Sequence, residues 1–228
     1  MESKAVSFDL SLKCQLFNDD CINVLKALPD KSIDLILTDP PYGIDIASNK
    51  TVGGKGVCKN TIFDVSDWDS QTPSKKYFDE MLRVGKSVII FGGNYFSDKL
   101  PVSGAWFVWD KRCEDKHRNN FADAELCWTN LKTTRIYRFL YKGMIQEDMR
   151  KKEEKVHPTQ KPVELIKQML LDNSVEGDLV LDCFMGSGTT GVAALKLGRR
   201  FIGVELDKKY FDIAKERIGA WEGQARLV

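Results

Sequence analysis

Two short apolar runs in this chain end in loops of unusual composition. Ile33-Asp34-Leu35-Ile36-Leu37-Thr38 leads into Asp39-Pro40-Pro41-Tyr42, and Leu179-Val180-Leu181-Asp182 leads into Phe184-Met185-Gly186-Ser187-Gly188-Thr189-Thr190. Short apolar runs bounded by Pro or Gly read as strands covered on both faces, the pattern of a parallel sheet. An open sheet of that kind binds ligands at the carboxyl ends of its strands. Both loops are therefore candidates to face one crevice.

The rest of the chain supports this. Gln15-Leu16-Phe17 precedes a helical stretch, Cys21–Leu28, in which Ile22, Leu25 and Leu28 share a face. A helix near Lys75–Val84 precedes the strand Ser87–Phe91, and Ala105–Trp109 and Glu125–Thr129 are aromatic-rich strands. Val163–Leu171 reads as a helix with Pro162 at its start. The remainder runs strand, helix (Gly191–Leu197), strand (Phe201–Val204), helix (Lys208–Ile218). Such alternation implies βαβ units, with helices on both faces of a mainly parallel sheet. With 228 residues, 43% of them hydrophobic, the chain is expected to build one domain over 1–228.

Two segments break the alternation. Gly43–Gln71 contains Gly43, Gly53, Gly54 and Gly56 but little periodicity, and a flexible loop over 43–71 beside the site is expected. Leu131–Lys161 carries nine cations against four acids, with Tyr137, Phe139 and Tyr141 among them.

A formal net charge of +1 shows no global excess for binding nucleic acid, so any such surface is local. The six cysteines include no CxxC pair and there are two histidines, which disfavours a metal site or a disulfide framework and suits a reducing compartment, the cytoplasm. Neither a signal peptide nor a membrane span is expected.

Gly186 and Gly188 permit a tight turn and leave room for a ligand against the backbone. The turn is not a phosphate-binding Walker loop, since no Gly-Lys-Ser/Thr follows. Glu205, at the end of the next strand, is spaced to accept from both hydroxyls of a ribose. Asp182 ends its strand and would suit a cationic ligand. S-adenosylmethionine offers a sulfonium, an ammonium and no phosphate. On these residues alone, an ordinary glycine turn or an NAD site remains open.

The other loop narrows the choice. An exocyclic amine on a heteroaromatic ring is a poor nucleophile because its lone pair is delocalised. Asp39 and the Pro40 carbonyl can each accept one amine hydrogen and favour the more tetrahedral nitrogen of the transition state. Pro40 and Pro41 stiffen the loop, and Tyr42 offers a face to a base extruded from its duplex. Methylation at ring carbon would need a poised cysteine, and no Pro-Cys pair occurs. Hydride transfer leaves Asp39–Tyr42 without a role.

With both loops in hand, the chain resembles the DNA amino-methyltransferases that modify adenine N6 or cytosine N4. It is similar to their permuted group, in which the DPPY loop precedes FxGxGT. The segment His157-Pro158-Thr159-Gln160-Lys161-Pro162 matches a third motif, and the likeness spans about Leu16 to Ile218. Trp109-Asp110-Lys111 and Asn119-Asn120-Phe121-Ala122-Asp123 resemble small phage- or prophage-borne members. The resemblance implies a Rossmann-like, seven-stranded methyltransferase sheet with one antiparallel strand. It implies Asp39, Pro40, Pro41 and Tyr42 as the catalytic loop around the target amine. Asp182, Phe184, Gly186, Ser187, Gly188 and Thr189 would surround the methionine part of S-adenosylmethionine, Glu205 its ribose and Asp20 its adenine end. Thr159 and Lys161 would meet its carboxylate. His157 is not expected to be a general base. Segment 131–161 lies where such enzymes insert target recognition, which makes Arg135, Tyr137 and Arg138 candidate contacts to double-stranded DNA. So short an insertion implies a compact recognition site or reliance on a second copy, a homodimer. Asp39 in place of serine leans toward adenine, with cytosine N4 and a non-catalytic subunit as the alternatives.

Overall fold

The computed structural model describes residues 8–44, 51–52, 61–62, 69–113, 122–142, 145–146, 150, 153 and 155–224. Most of 43–71, including Cys58, lies outside them. The main sheet has eight strands: β1 (Cys14–Phe17), β2 (Ile33–Thr38), β3 (Gly85–Phe91), β4 (Trp106–Asp110), β5 (Ala124–Thr129), β6 (Arg135–Arg138), β7 (Leu179–Asp182) and β8 (Arg200–Val204). Their order is β1-β8-β7-β2-β3-β5-β4-β6. Only β5 runs against the rest, paired antiparallel to both β3 and β4. The helices are α1 (Cys21–Ala27), α2 (Lys75–Val84), α3 (Val163–Asn173), α4 (Thr189–Lys196) and α5 (Lys208–Gln224).

Neighbouring residues along the central strands pack on opposite faces. Leu35, Leu37, Ile89, Phe91 and Val180 join the core under α3, α4 and α5. Ile36, Val88, Ile90 and Leu181 join the core under α1 and α2. Covering both faces requires continuous apolar strands, which is why β2, β3 and β7 lack a polar alternation.

The expected seven strands become eight because β6 extends the sheet parallel to β4. Part of the segment expected as an inserted recognition region is thus sheet edge. Tyr137 anchors it: the ring is 5% exposed, packs edge-on against Phe107 and accepts at its hydroxyl from Asn173 Nδ2 of α3 (3.0 Å). Helix α4 begins at Thr189, two residues earlier than expected, because Gly188 (φ +81°) makes the turn that starts it.

From β2 the chain moves through α2 to β3 on one side, and from β7 through α4 to β8 on the other. The sheet's switch point therefore lies between β2 and β7, which pair in parallel with Leu181 beside Ile36. Both loops emerge there, as the sequence implied.

Candidate active site

The two loops are pinned to one another at their roots. Thr38 Oγ1, buried at the end of β2, donates to Asp182 Oδ1 (2.7 Å) and accepts from Cys183 N (3.2 Å). Asp182 also accepts from Phe184 N (3.1 Å) and from the Thr190 side chain. Burial raises its carboxyl to about 6, against these hydrogen bonds. Asp182 lines the crevice, but its bonds fix the glycine loop against β2.

Asp39 stands at the meeting point of two cavities of about 470 and 510 Å³, which also share Pro41, Thr159, Gln160 and Lys161. The first is walled by the glycine loop (Phe184, Gly186, Ser187, Thr189), by Asp20 and by Glu205. The second is walled by Pro40, Tyr42, Tyr95, Trp109, Lys111, Glu125, Tyr141 and Lys155.

In the first cavity Glu205 accepts from Gly186 N through one oxygen and from Asp207 N through the other, both at 2.8 Å. Each oxygen keeps capacity for a further donor. Burial lifts its carboxyl to about 7. Asp20 caps α1 by accepting from Ile22 N (3.0 Å), and Tyr77 OH donates to its other oxygen (2.9 Å). Thr189 Oγ1 is buried with no hydrogen-bond partner among the described residues. Ser187 is held from behind by Arg217, which donates to its carbonyl and hydroxyl oxygens. His157 packs edge-on against Tyr210, and Thr159 turns its hydroxyl onto the Nδ1 of His157 (3.1 Å). Burial, with Lys161 and Arg217 nearby, pushes the imidazole down to about 3, so it is neutral and no general base at ordinary pH.

In the second cavity Tyr42 OH donates to Asp39 Oδ1 (2.6 Å), and the Tyr42 ring stacks on Tyr95 with centroids 4.7 Å apart. Gly92 makes this possible: at φ +69° its missing Cβ leaves the space that the Tyr42 ring fills. Gly43 N donates to Asp69 Oδ1 (2.9 Å), which fixes the loop's far end. Burial raises the Asp39 carboxyl, and Lys161 offsets part of that.

Lys161 lines both cavities. Its ammonium pairs directly with Asp39 Oδ2 and lies 3.4 Å from Glu125 Oε2, whose other oxygen accepts from Lys111 Nζ (2.6 Å). Glu125, Lys111, Tyr95 and Gly92 were missed by reading the sequence. Glu125 lies on the antiparallel strand, more than eighty residues from Asp39, and no local motif marks it.

The candidate DNA contacts separate. Arg135 and Tyr137 both meet α3, Arg135 through Asp172 at 3.9 Å, and the buried Tyr137 ring has no face for a base. Arg135 and Tyr137 alternate onto one face of the strand, but only Tyr137 is buried, and Arg135 keeps 44% of its side chain exposed. Arg138 lies at the carboxyl end of β6, loosely paired with Asp110 (3.7 Å) and largely exposed. The part of segment 131–161 that reaches the second cavity is Tyr141 and Lys155.

The parallel sheet thus brings two cavities together at the carboxylate of the DPPY loop, on an α/β fold of the methyltransferase kind. The chain belongs to the N6/N4 family of DNA methylases, whose pattern matches residues 108–216. It is 30% identical over 248 residues to the type II methyltransferase M2.DpnII of Streptococcus pneumoniae, covering 91% of this chain and 90% of that protein. It is 29% identical to the type II methyltransferase M.HinfI of Haemophilus influenzae, covering 89% and 67%. Solved structures share the fold: the M1.HpyAVI–SAM complex (24% identity, TM-score 0.54, 90% of this chain and 98% of that one) and the cytosine-N4-specific PvuII DNA methyltransferase (16%, 0.59, 90% and 86%). Among the described residues, no helix is long and apolar enough to cross a membrane.

Proposed function

We propose that this chain transfers a methyl group from S-adenosylmethionine to the N6 amine of an adenine flipped out of double-stranded DNA. The observation that carries the reading is Asp39, held at the junction of two cavities, one suited to a cofactor and one to a base.

The first cavity fits the cofactor. Its volume lies in the usual range for small-molecule sites. Glu205 has spare acceptor capacity for a ribose, and Thr189 Oγ1 lacks a partner. Glu205 and Asp20 would hold the nucleoside end, and the Phe184–Thr189 loop with Thr159 the methionine end. When bound, the cofactor supplies an electrophilic methyl group.

The chain's own contribution is to the amine. Asp39 and the Pro40 carbonyl take one amine hydrogen each, which localises the nitrogen lone pair toward the cofactor side. Tyr42, braced by Tyr95 and Phe96, keeps Asp39 Oδ1 oriented and gives the base an aromatic wall. Its burial makes Asp39 a better acceptor than an ordinary carboxylate for the proton the nitrogen sheds after alkylation. We read 1–228 as one catalytic domain, with Arg138, Tyr141 and Lys155 as its DNA-facing part of segment 131–161.

The test is to incubate the purified chain with methyl-free DNA and S-adenosylmethionine and analyse the nucleosides by mass spectrometry. N6-methyladenine is the expected product. N4-methylcytosine would transfer the assignment to the other amine, and no methylated nucleoside would remove it.

A further inference from the structure

The centre of the second cavity holds an arrangement that amine methylation alone does not explain. Lys161 places its ammonium on Asp39 Oδ2, so the acceptor proposed for the target amine is already engaged. An ammonium and an aromatic amine offer that carboxylate the same thing, an N–H donor, and the two compete. Lys161 is 8% exposed and sits over the Phe91 ring (5.1 Å) and beside Tyr42 (5.7 Å), so its charge is answered mainly by the carboxylates beside it. A second acceptor does lie within reach. Glu125 Oε2 already forms a longer ion pair with Nζ at 3.4 Å and is buried, so it can take a closer contact. Lys111 holds the other oxygen of Glu125 at 2.6 Å and fixes the carboxylate in place.

We propose that Lys161 is a place-holder for the target amine, and that Glu125 is the positioning residue that receives its ammonium when the base arrives. This rests on the reading of Asp39 as the amine acceptor. In the resting enzyme Lys161 compensates the buried charge of Asp39. When the amine docks, Nζ leaves Asp39 Oδ2 and closes its existing longer contact with Glu125 Oε2, and Asp39 Oδ2 is released to the base. The ammonium stays protonated throughout, because a carboxylate is beside it at both stations; burial alone would lower its pKa, but Asp39 and Glu125 hold it above its ordinary value. A buried cation of this kind avoids leaving either carboxylate uncompensated, which is the expensive state in a low-dielectric site.

The experiment uses the full chain, a methyl-free plasmid and tritiated S-adenosylmethionine. Glu125→Gln is isosteric and keeps an acceptor for Lys111, but no longer draws Lys161 away from Asp39. It should raise the KM for DNA by roughly tenfold or more, the scale for losing one partner of a buried charge pair. Cofactor affinity should stay near wild type while the thermal midpoint falls, and Glu125→Asp should shift KM in the same direction by less. The deciding variant is Glu125→Gln/Lys161→Met. With the competitor removed, the double variant should recover most of the DNA affinity that Glu125→Gln lost, which a merely structural role for Glu125 would not produce. Equal KM in wild type and Glu125→Gln overturns the proposal, as does a double variant no better than Glu125→Gln. A wild-type chain that methylates no DNA at all would overturn the functional reading itself, and the proposal with it.

Discussion

If Glu205 holds the ribose as proposed, cofactor affinity should depend on pH near neutrality. Burial raises its carboxyl to about 7, even though it accepts two backbone N–H groups. Ribose hydroxyls donate, so they favour the ionised form, and the direction follows. Above pH 7 the carboxylate is ready to bind; below it, binding must first remove a proton. If only the ionised form holds the ribose, its population falls from about ten-elevenths at pH 8 to about one-eleventh at pH 6, and affinity falls about tenfold. Glu205→Gln removes the titration and replaces charge-assisted hydrogen bonds with neutral ones. Its affinity should be weaker at pH 8 by about 1–1.5 kcal/mol, the difference between the two kinds of bond. Titration calorimetry of S-adenosylmethionine at pH 6, 7 and 8 measures both effects. In buffers of different ionisation enthalpy at pH 7, wild type should release about half a proton per cofactor more than the variant. Asp182, raised to about 6, titrates nearby, so the comparison with Glu205→Gln isolates the Glu205 contribution. A wild-type affinity flat from pH 6 to 8, or a slope as steep in Glu205→Gln as in wild type, would refute the reasoning.

Asp39→Ala should lower turnover by roughly a hundredfold or more with cofactor affinity unchanged, the scale for one preorganised transition-state partner; turnover near wild type would take Asp39 out of the chemistry. Gly92→Ala forces a Cβ into the Tyr42 ring at a left-handed φ, which costs about 1–2 kcal/mol from the backbone alone. A lowered thermal midpoint and reduced turnover with intact cofactor binding are expected, and an unaffected turnover would show that Tyr42 need not be locked. Arg138→Ala should flatten the salt dependence of DNA binding by about 0.9 in log–log slope, whereas Arg135→Ala should not. Equal effects from the two arginines would mean that α3 does not withhold Arg135 from DNA.

Asp39–Tyr42 and the Gly186–Gly188 turn are legible in the sequence because each is a local solution to a local problem. A stiff acceptor needs prolines, a tight approach to backbone needs glycines, and both follow apolar runs that can only be buried strands. Helix α2 is equally legible, since its buried Phe78 and Met81 repeat at helical spacing. Glu125 is not, because its meaning comes from β5 running antiparallel beside β3, which brings it to Lys161 across the sheet. Lys161 is placed in the right motif by the sequence, yet its partner is decided by which carboxylate the fold brings within reach. Arg135-Ile136-Tyr137-Arg138 misleads for the opposite reason. Its composition suits a nucleic-acid surface, but α3 covers Tyr137 and pairs loosely with Arg135, and Arg138 is the more exposed of the two arginines.

The buried bond from Thr38 to Asp182 joins residues 144 positions apart, and β1 finds its only sheet neighbour in β8, near the other end of the described chain. During synthesis the DPPY loop is therefore made early and waits. Until β7 and β8 have left the ribosome, β2 has one open side and β1 has no sheet partner at all. Pairings so distant in sequence form slowly and leave apolar strand edges exposed meanwhile. A nascent chain ending before Leu179 carries Asp39 but neither the acceptor of Thr38 nor the glycine turn. On the proposed reading the two loops meet only when β7 joins β2, so a product truncated before Leu179 should transfer no methyl group.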